Sequence, residues 1–341
     1  MNVLLTAAGR RTYLVRYFRD ALSGKGIVIA ANSKSDAPAM SIADQAVKVP
    51  PSFHPEYAEA VEAACRRFEI SLLSSCHDLD IVALAPLGFR LRSAGVTALL
   101  PDPDWALLCL DKFKLGSRLR AAGFDVPWAS VSLDETRTAL ACGEIRFPLL
   151  LKARLGYGSL GLRRCENMDQ LEWLHRHTSA QLRDSAVDRV LPLPPQERVL
   201  IQAVLHGREF CVDIVHDLEG RYAAHFVCEV HAMRAGESDS ATTVHRDALG
   251  DLPLRFSRLT GHVGIWGLDV IVDSGRAALI DVNPRFAGNY PFQHVAGANV
   301  PAALIAWARG VEPDPAWLRP AVGVSGYKDL VPTRRPGHCP P

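Results

Sequence analysis

Apolar residues in this chain come in short runs whose spacing keeps changing. Residues 2–6 (NVLLT), 26–32 (GIVIAAN) and 70–76 (ISLLSSC) are near-continuous apolar runs. Between them, residues 10–22 and 56–68 carry apolar positions at helical spacing, and 79–95 (LDIVALAPLGFRLRSAG) is a further helical run. Buried strands alternating with amphipathic helices predict a parallel, doubly wound sheet over roughly the first hundred residues. Only Gly9 marks the first strand–helix turn, so no dinucleotide fingerprint stands there.

The pattern then changes. Residues 101–123 read as a helical hairpin element, with an Asp/Pro entry, a long helix and a stop at Gly123. FPLLLKA (147–153) reads as a strand, 156–161 as a glycine-rich loop, LRRC as a short strand, and a helix capped near Asn167 follows. LPLPPQE, within the Pro- and charge-rich stretch 183–198, reads as an irregular loop. Beyond it the chain is β-rich: RVLIQAVL, REFCVDIV and RYAAHFVCEV, then a polar loop, MRAGESDSATTV, and a helix around 251–262. WGLDVIV and AALIDVNPRF flank Asp273-Ser274-Gly275 and predict a hairpin. A helix near 301–309 and a Pro-, Gly- and Arg-rich tail, 331–341, close the chain. The expected fold class is α/β followed by α+β, without internal repeats.

Composition narrows the function classes. The chain has 341 residues, 48% hydrophobic and 22% charged, which suits a globular protein of two or three domains. A net charge of +1 gives no argument for a nucleic-acid or anionic-membrane partner. No stretch reaches the ~20 apolar residues of a membrane-spanning helix. The start, MNVLLTAAG, lacks the basic flank and cleavage site of a signal peptide. The eight cysteines show no CxxC spacing, so reduced thiols and a cytoplasmic location are expected. The twelve histidines include no HExxH, which leaves a zinc site without support.

The candidate chemistry centres on ALIDVNPRF (278–286). On an extended strand Asp281, Asn283 and Arg285 share one face, and two oxygen donors beside a guanidinium suit a metal ion carrying phosphate. The competing reading is the exposed end of an edge strand, where Pro284 is tolerated. Gly156-Tyr157-Gly158-Ser159-Leu160-Gly161 matches GxGxxG, but a strand follows it where a dinucleotide site needs a helix. A phosphate-covering hairpin loop, with Lys152 just before it, fits that context better. Gln202 to Leu205 ends an apolar strand whose exposed backbone could meet an adenine edge, with Glu209 placed for a ribose. Asp269 and Asp281 face each other across the predicted hairpin, as two carboxylates for hard cations.

Together these residues resemble the ATP-grasp enzymes, in the branch of carbamoyl phosphate synthetase and the amino-acid ligases, over about residues 1–320. The resemblance implies a Rossmann-like N-terminal domain (1–103), then a two-lobed ATP-grasp module: a central lobe (104–200) and a C-terminal lobe (201–330), with a flexible tail at 331–341. It implies ATP and Mg2+ (or Mn2+) as cofactors. Lys112 and Lys152 would contact phosphates, and Gly156, Gly158 and Ser159 would cover them. Gln202, Ala203 and Leu205 would bind adenine, and Glu209 ribose. Asp269, Asp281 and Asn283 would bind metal, and Arg285 would steady the transferring phosphoryl group. Both metal acids are Asp where Glu is common, and Ala203 replaces a frequent acid.

The implied reaction is carboxylate attack on the γ-phosphate, an acyl phosphate, and amide formation by an amine, with ADP and phosphate released. Substrates would be a small carboxylate and an amine, both amino acids, with Arg234 and Arg285 as carboxylate partners, and a homodimer is compatible. His231 and His245 flank the substrate-side loop, though a structural role is favoured for each. Bicarbonate or carbamate activation and ATP binding without turnover are the alternatives.

Overall fold

The run 2–6 forms β1 (Asn2–Thr6), the centre of a parallel sheet in which every residue from Val3 to Thr6 is buried. Its companions are β2 (Val28–Asn32), β3 (Gln45–Lys48), β4 (Ile70–Ser75) and β5 (Thr97–Leu99), in the order β3-β2-β1-β4-β5. The inner strands are apolar on both sides because helices cover both faces, as the doubly wound reading requires. The edges were not visible in the sequence: β3 is mostly exposed and β5 has three residues. Strand order reverses between β1 and β4, so the loops after both open into one crevice. This computed structural model describes residues 1–333; residues 334–341 of the predicted tail lie outside them.

A second, antiparallel sheet joins β6 (Ala129–Ser130), β7 (Leu149–Ala153), β8 (Arg163–Cys165) and β9 (Val199–Ala203) in the order β6-β9-β7-β8. Leu149, Leu151, Val199 and Ile201 pack with Ala139, Leu171 and Leu182 of the helices 133–141 and 168–182. Alternation then turns Leu150, Lys152, Leu200 and Gln202 to the helix-free face, where Lys152 pairs with Leu200 and Leu150 with Gln202.

The third sheet runs β14-β13-β10-β11-β12-β15, with β10 (Arg208–His216), β11 (Tyr222–Arg234), β12 (Glu237–Val244), β13 (Gly264–Asp273), β14 (Arg276–Asn283) and β15 (Ser325–Tyr327). Its core of Phe256, Trp266, Leu268 and Leu279 includes Leu115 and Leu119 from the helix 112–121. Val215, Phe226, Phe286 and Tyr290 pack with Val3, Leu14 and Phe18, so the first and third sheets share one apolar core. That shared core fixes the crevice beside β14. Among the described residues no helix is long and apolar enough to cross a membrane.

Three expectations are corrected. The long helix of the helical element over 101–123 is two helices, Pro103–Leu110 and Lys112–Ala121, broken at Asp111. Asp111 leaves helical geometry to cap the second helix, accepting from the N–H groups of Phe113 and Lys114 at 3.2 and 3.1 Å. It also takes the fork of Arg154 at 3.0 and 2.8 Å, and a helix interior offers an aspartate neither partner. The polar loop at 233–244 is mostly strand: Ala235 and Gly236, both at positive φ, turn β11 into β12. Its inward residues are Ser238, Ala241 and Thr243, too small and polar to announce a buried face. The helix near 251–262 shortens to Leu252–Ser257.

Candidate active site

The hairpin β13–β14 turns through Ser274 and Gly275, both at positive φ, as a two-residue turn requires. Asp269 pairs directly with Asp281, while Val270 pairs with Leu279, so Ile280 is an extra residue in a β-bulge. Bulges re-aim side chains, and this one keeps Leu279 in the core while Asp281 faces Asp269. Burial first, and then the charge of Asp281, push the Asp269 carboxyl up to about 7. Two acids this close favour a cation between them. Lys112 supplies one: its Nζ donates to Asp281 Oδ1 at 2.6 Å. The Asp111–Arg154 pair and the Lys112 N–H to Arg154 carbonyl bond (3.0 Å) hold that lysine in place.

Lys152 projects from β7 toward the same spot. Burial, then the neighbouring charge of Lys112, lower it to about 8, partly offset by Asp281 and Asp269. Asn283 and Arg285 continue the face beyond Asp281, and Asn283 Oδ1 accepts from Arg285 Nη2 at 2.9 Å. Arg285 is not free, however. Asp78, the first residue of the helix 78–84 that follows β4, takes its fork through Nε and Nη2 at 2.9 and 2.8 Å. Arg285 is therefore built into the crevice wall, where it carries a fixed charge.

Gln202, Lys112 and Ile280 line a cleft between the helix 112–121, β9 and β14. Ala203 donates its N–H to Trp128 O at 3.0 Å, which removes that group from ligand binding. Leu205 lies in the four-residue connection to β10. Glu209 opens β10 within the field of Asp269, and burial raises its pKa. The glycine loop spans the other parts. Gly156 donates to Leu110 O at 3.3 Å, Tyr157 meets His77 edge-on with centroids 4.2 Å apart, and Gly158 packs on Gly236. A Cβ on Gly236 would stand 2.6 Å from the Gly158 carbonyl carbon, so only glycine permits that approach. Gly158 and Ser159 hold positive φ, and Ser159 is exposed at the tip.

Can this site take a divalent cation? Among the described residues no group of three or more His, Cys, Asp or Glu forms a closed metal site. Two carboxylates and an amide, open toward Lys112 and Lys152, instead suit a hard cation that draws its remaining ligands from phosphate and water. The donor set fits magnesium or manganese in that form.

Comparisons with known proteins bear on the family and the fold. Residues 3–99 match the family model "PylC-like, N-terminal domain", and residues 195–328 match "ATP-grasp in the biosynthetic pathway with Ter operon". The chain belongs to the ATP-grasp superfamily. It is 22% identical over 209 residues to acetyl-CoA carboxylase 2 of Oryza sativa subsp. japonica, covering 58% of this chain but only 8% of that one. It is 22% identical over 256 residues to the arginine-specific carbamoyl phosphate synthase large chain of Bacillus subtilis, covering 73% of this chain and 22% of the relative. The chain thus spans less than a quarter of the length of either. In fold it is similar to the biotin carboxylase domain dimer of Hydrogenobacter thermophilus 2-oxoglutarate carboxylase, in complex with MgADP, ADP and bicarbonate. That match has a TM-score of 0.72 at 19% identity, covering 91% of this chain and 70% of the other.

Against the ATP-grasp fold the remaining expectations sort themselves. Arg234, half-exposed near the β11–β12 turn, pairs with Asp239 at 2.6 Å and reaches the Lys328 carbonyl at 3.4 Å; its contacts are not with the acids. His231 bonds Thr242 Oγ1 at 2.7 Å, and His245 caps a short turn of helix through Asp247 N–H at 3.4 Å. Sequence reasoning missed Asp78, although its place just after a buried strand was a signal. It also missed Arg11, Glu237 and Lys328, which meet only in three dimensions. Cys211 was invisible too; its Sγ lies 3.3 Å from Asp269 Oδ1 and supports that carboxyl from beneath.

Proposed function

We propose that the chain is an ATP-dependent carboxylate–amine ligase that releases ADP and phosphate, with domain boundaries near residues 103 and 200. The observation that carries this reading is the Asp269–Asp281 pair facing Lys112 and Lys152 at the meeting of β7, β14 and the helix 112–121. ATP would lie between the second and third sheets, its adenine toward Gln202, Ala203 and Leu205 and its ribose toward Glu209. Lys112, Lys152 and the loop residues Gly156, Gly158 and Ser159 would hold the inner phosphates. Asp269, Asp281 and Asn283 would hold the magnesium or manganese that neutralises phosphate charge when bound. Arg285, fixed by Asp78, would face the terminal phosphate as a preorganised cation. The substrate carboxylate would then attack the γ-phosphorus, and the amine would displace phosphate from the acyl phosphate. Catalysis here is positioning and charge neutralisation.

The likeness to a biotin carboxylase bound to bicarbonate supports a second reading, with bicarbonate as the acid activated. A phosphate-release screen separates them: bicarbonate alone, then pairs of amino acids, with mass spectrometry on each product. Release requiring both an acid and an amine, with an amide formed, supports the ligase. Release with bicarbonate but with no acid–amine pair supports the alternative.

Two outcomes are expected at this site. Lys152 carries its charge below about 8 in the free protein and loses it above. Phosphate favours the charged form, so nucleotide affinity falls as pH rises through that value, by up to about tenfold per pH unit. Calorimetry across that range checks it, and a flat dissociation constant removes Lys152 from the phosphate site. The glycine loop should also become protected when MgATP binds, as lids do. Limited chymotrypsin digestion at Tyr157 should slow on adding MgATP; an unchanged rate counts against a covering role.

A further inference from the structure

Ligands of open parallel sheets bind where strand order reverses, outside the carboxyl ends of the strands. In this chain that crevice, after β1 and β4, holds a charge network centred on Glu237, next to the residues proposed for the nucleotide. Arg11 donates from Nε and Nη2 to Glu237 Oε1 at 3.3 and 2.8 Å, and from Nη1 to the carbonyls of Cys76 and Phe286 at 2.7 and 3.3 Å. Lys328 Nζ meets the other Glu237 oxygen at 3.1 Å. Beside them Arg285 links Asp78 to Asn283, which ties the crevice to the phosphate face.

Arg11 and Lys328 share Glu237, and Arg285 takes Asp78. Asp239, also near Lys328, is paired with Arg234, so these ion pairs leave one positive charge uncompensated. The Tyr13 hydroxyl sits among Arg11, Glu237 and Cys76, buried and without a hydrogen-bond partner. Buried hydroxyls are normally paired, so this one awaits an acceptor or donor. Solvent reaches the acid, whose side chain is 39% exposed. Gly288 makes room for it: a Cβ there would stand 3.2 Å from three Glu237 side-chain carbons.

We propose that this crevice binds a small α-amino acid, its carboxylate on Arg11, Lys328 and the Tyr13 hydroxyl and its ammonium on Glu237. The surplus positive charge matches one carboxylate. A phosphate dianion would be opposed by Glu237, and a simple amine by the two cations. Burial works against the Glu237 charge, but Arg11 and Lys328 outweigh it and hold the group at about 2, so it stays an acceptor for an ammonium. The amino acid's role as substrate rests on the ligase reading; its binding does not need nucleotide.

The test is calorimetric titration of the full chain, without nucleotide, with each proteinogenic L-amino acid in turn. Matched compounds lacking the amine or the carboxylate serve as probes of each half. At least one amino acid should bind, with both truncated partners weaker by about tenfold or more. Tyr13→Phe and Lys328→Gln should each weaken that binding by about fivefold or more. Circular dichroism confirms folding, and either variant suffices if the other does not fold. Absence of binding by every amino acid overturns the proposal. So does equal binding of a truncated partner, or affinity within about twofold of wild type in the folded variants. Titrating the same wild-type sample with MgATP separates the two readings, since failure there strikes the ATP site and leaves the amino-acid result standing.

Discussion

Asp281→Asn should reduce MgATP-dependent phosphate release by at least ~100-fold, equivalent to about 2.7 kcal/mol of lost transition-state stabilisation. The substitution keeps shape and hydrogen-bonding capacity but removes the charge that faces both Asp269 and Lys112. A neutral amide cannot compensate the developing charge of a metal-bound phosphate. The fold should survive, because the Asp281 side chain keeps 23% exposure and the Lys112 ammonium can turn to solvent. Loss of the like charge also lets Asp269 ionise more readily, so raising magnesium should restore nucleotide binding before it restores turnover. Turnover near wild type in a folded variant would remove Asp281 from the metal site.

Arg154→Met should cost stability instead. The Arg154 and Asp111 side chains are 6% and 2% exposed and joined by two bonds. Removing the guanidinium leaves a buried carboxylate with only the helix N-terminus to offset it, a loss of about 3–5 kcal/mol. The third contact, to Glu197, is 42% exposed on the acid side and adds little. Adding Asp111→Asn should recover part of the loss, since the amide still caps the helix without the buried charge. Guanidinium unfolding of the single and double variants decides this. A single variant within about 1 kcal/mol of wild type would show the pair to be dispensable. Turnover should fall as well, because Lys112 stands on the helix that Asp111 caps.

Local periodicity made much of this legible. β1, β2 and β4 are apolar runs because both faces are covered, and the β13–β14 hairpin is marked by its Ser-Gly turn. That Asp269 and Asp281 share one hairpin was legible, but the register counted from its turn pairs Asp269 with Ile280, and only the bulge brings Asp281 opposite. The convergence of Lys112 and Lys152 on them came from the family resemblance. What stayed hidden had no local signature. The bulge at Ile280 is a register shift that strict alternation cannot show. β12 hides its buried face in Ser, Ala and Thr. The break at Asp111 depends on Arg154, 43 residues away, and the anchoring of Arg285 on Asp78, 207 residues away. The Arg11–Glu237–Lys328 network joins segments that no short-range pattern connects.

The central claim is that this site activates a carboxylate at the γ-phosphate. Hydroxylamine added to the protein, MgATP and the acid found in the screen should trap a hydroxamate, with ADP and phosphate formed in equal amounts. That follows because Lys112, Lys152 and the glycine loop would hold the inner phosphates, while Asp281, Asn283 and Arg285 would meet the terminal one. AMP and pyrophosphate in their place would contradict the account.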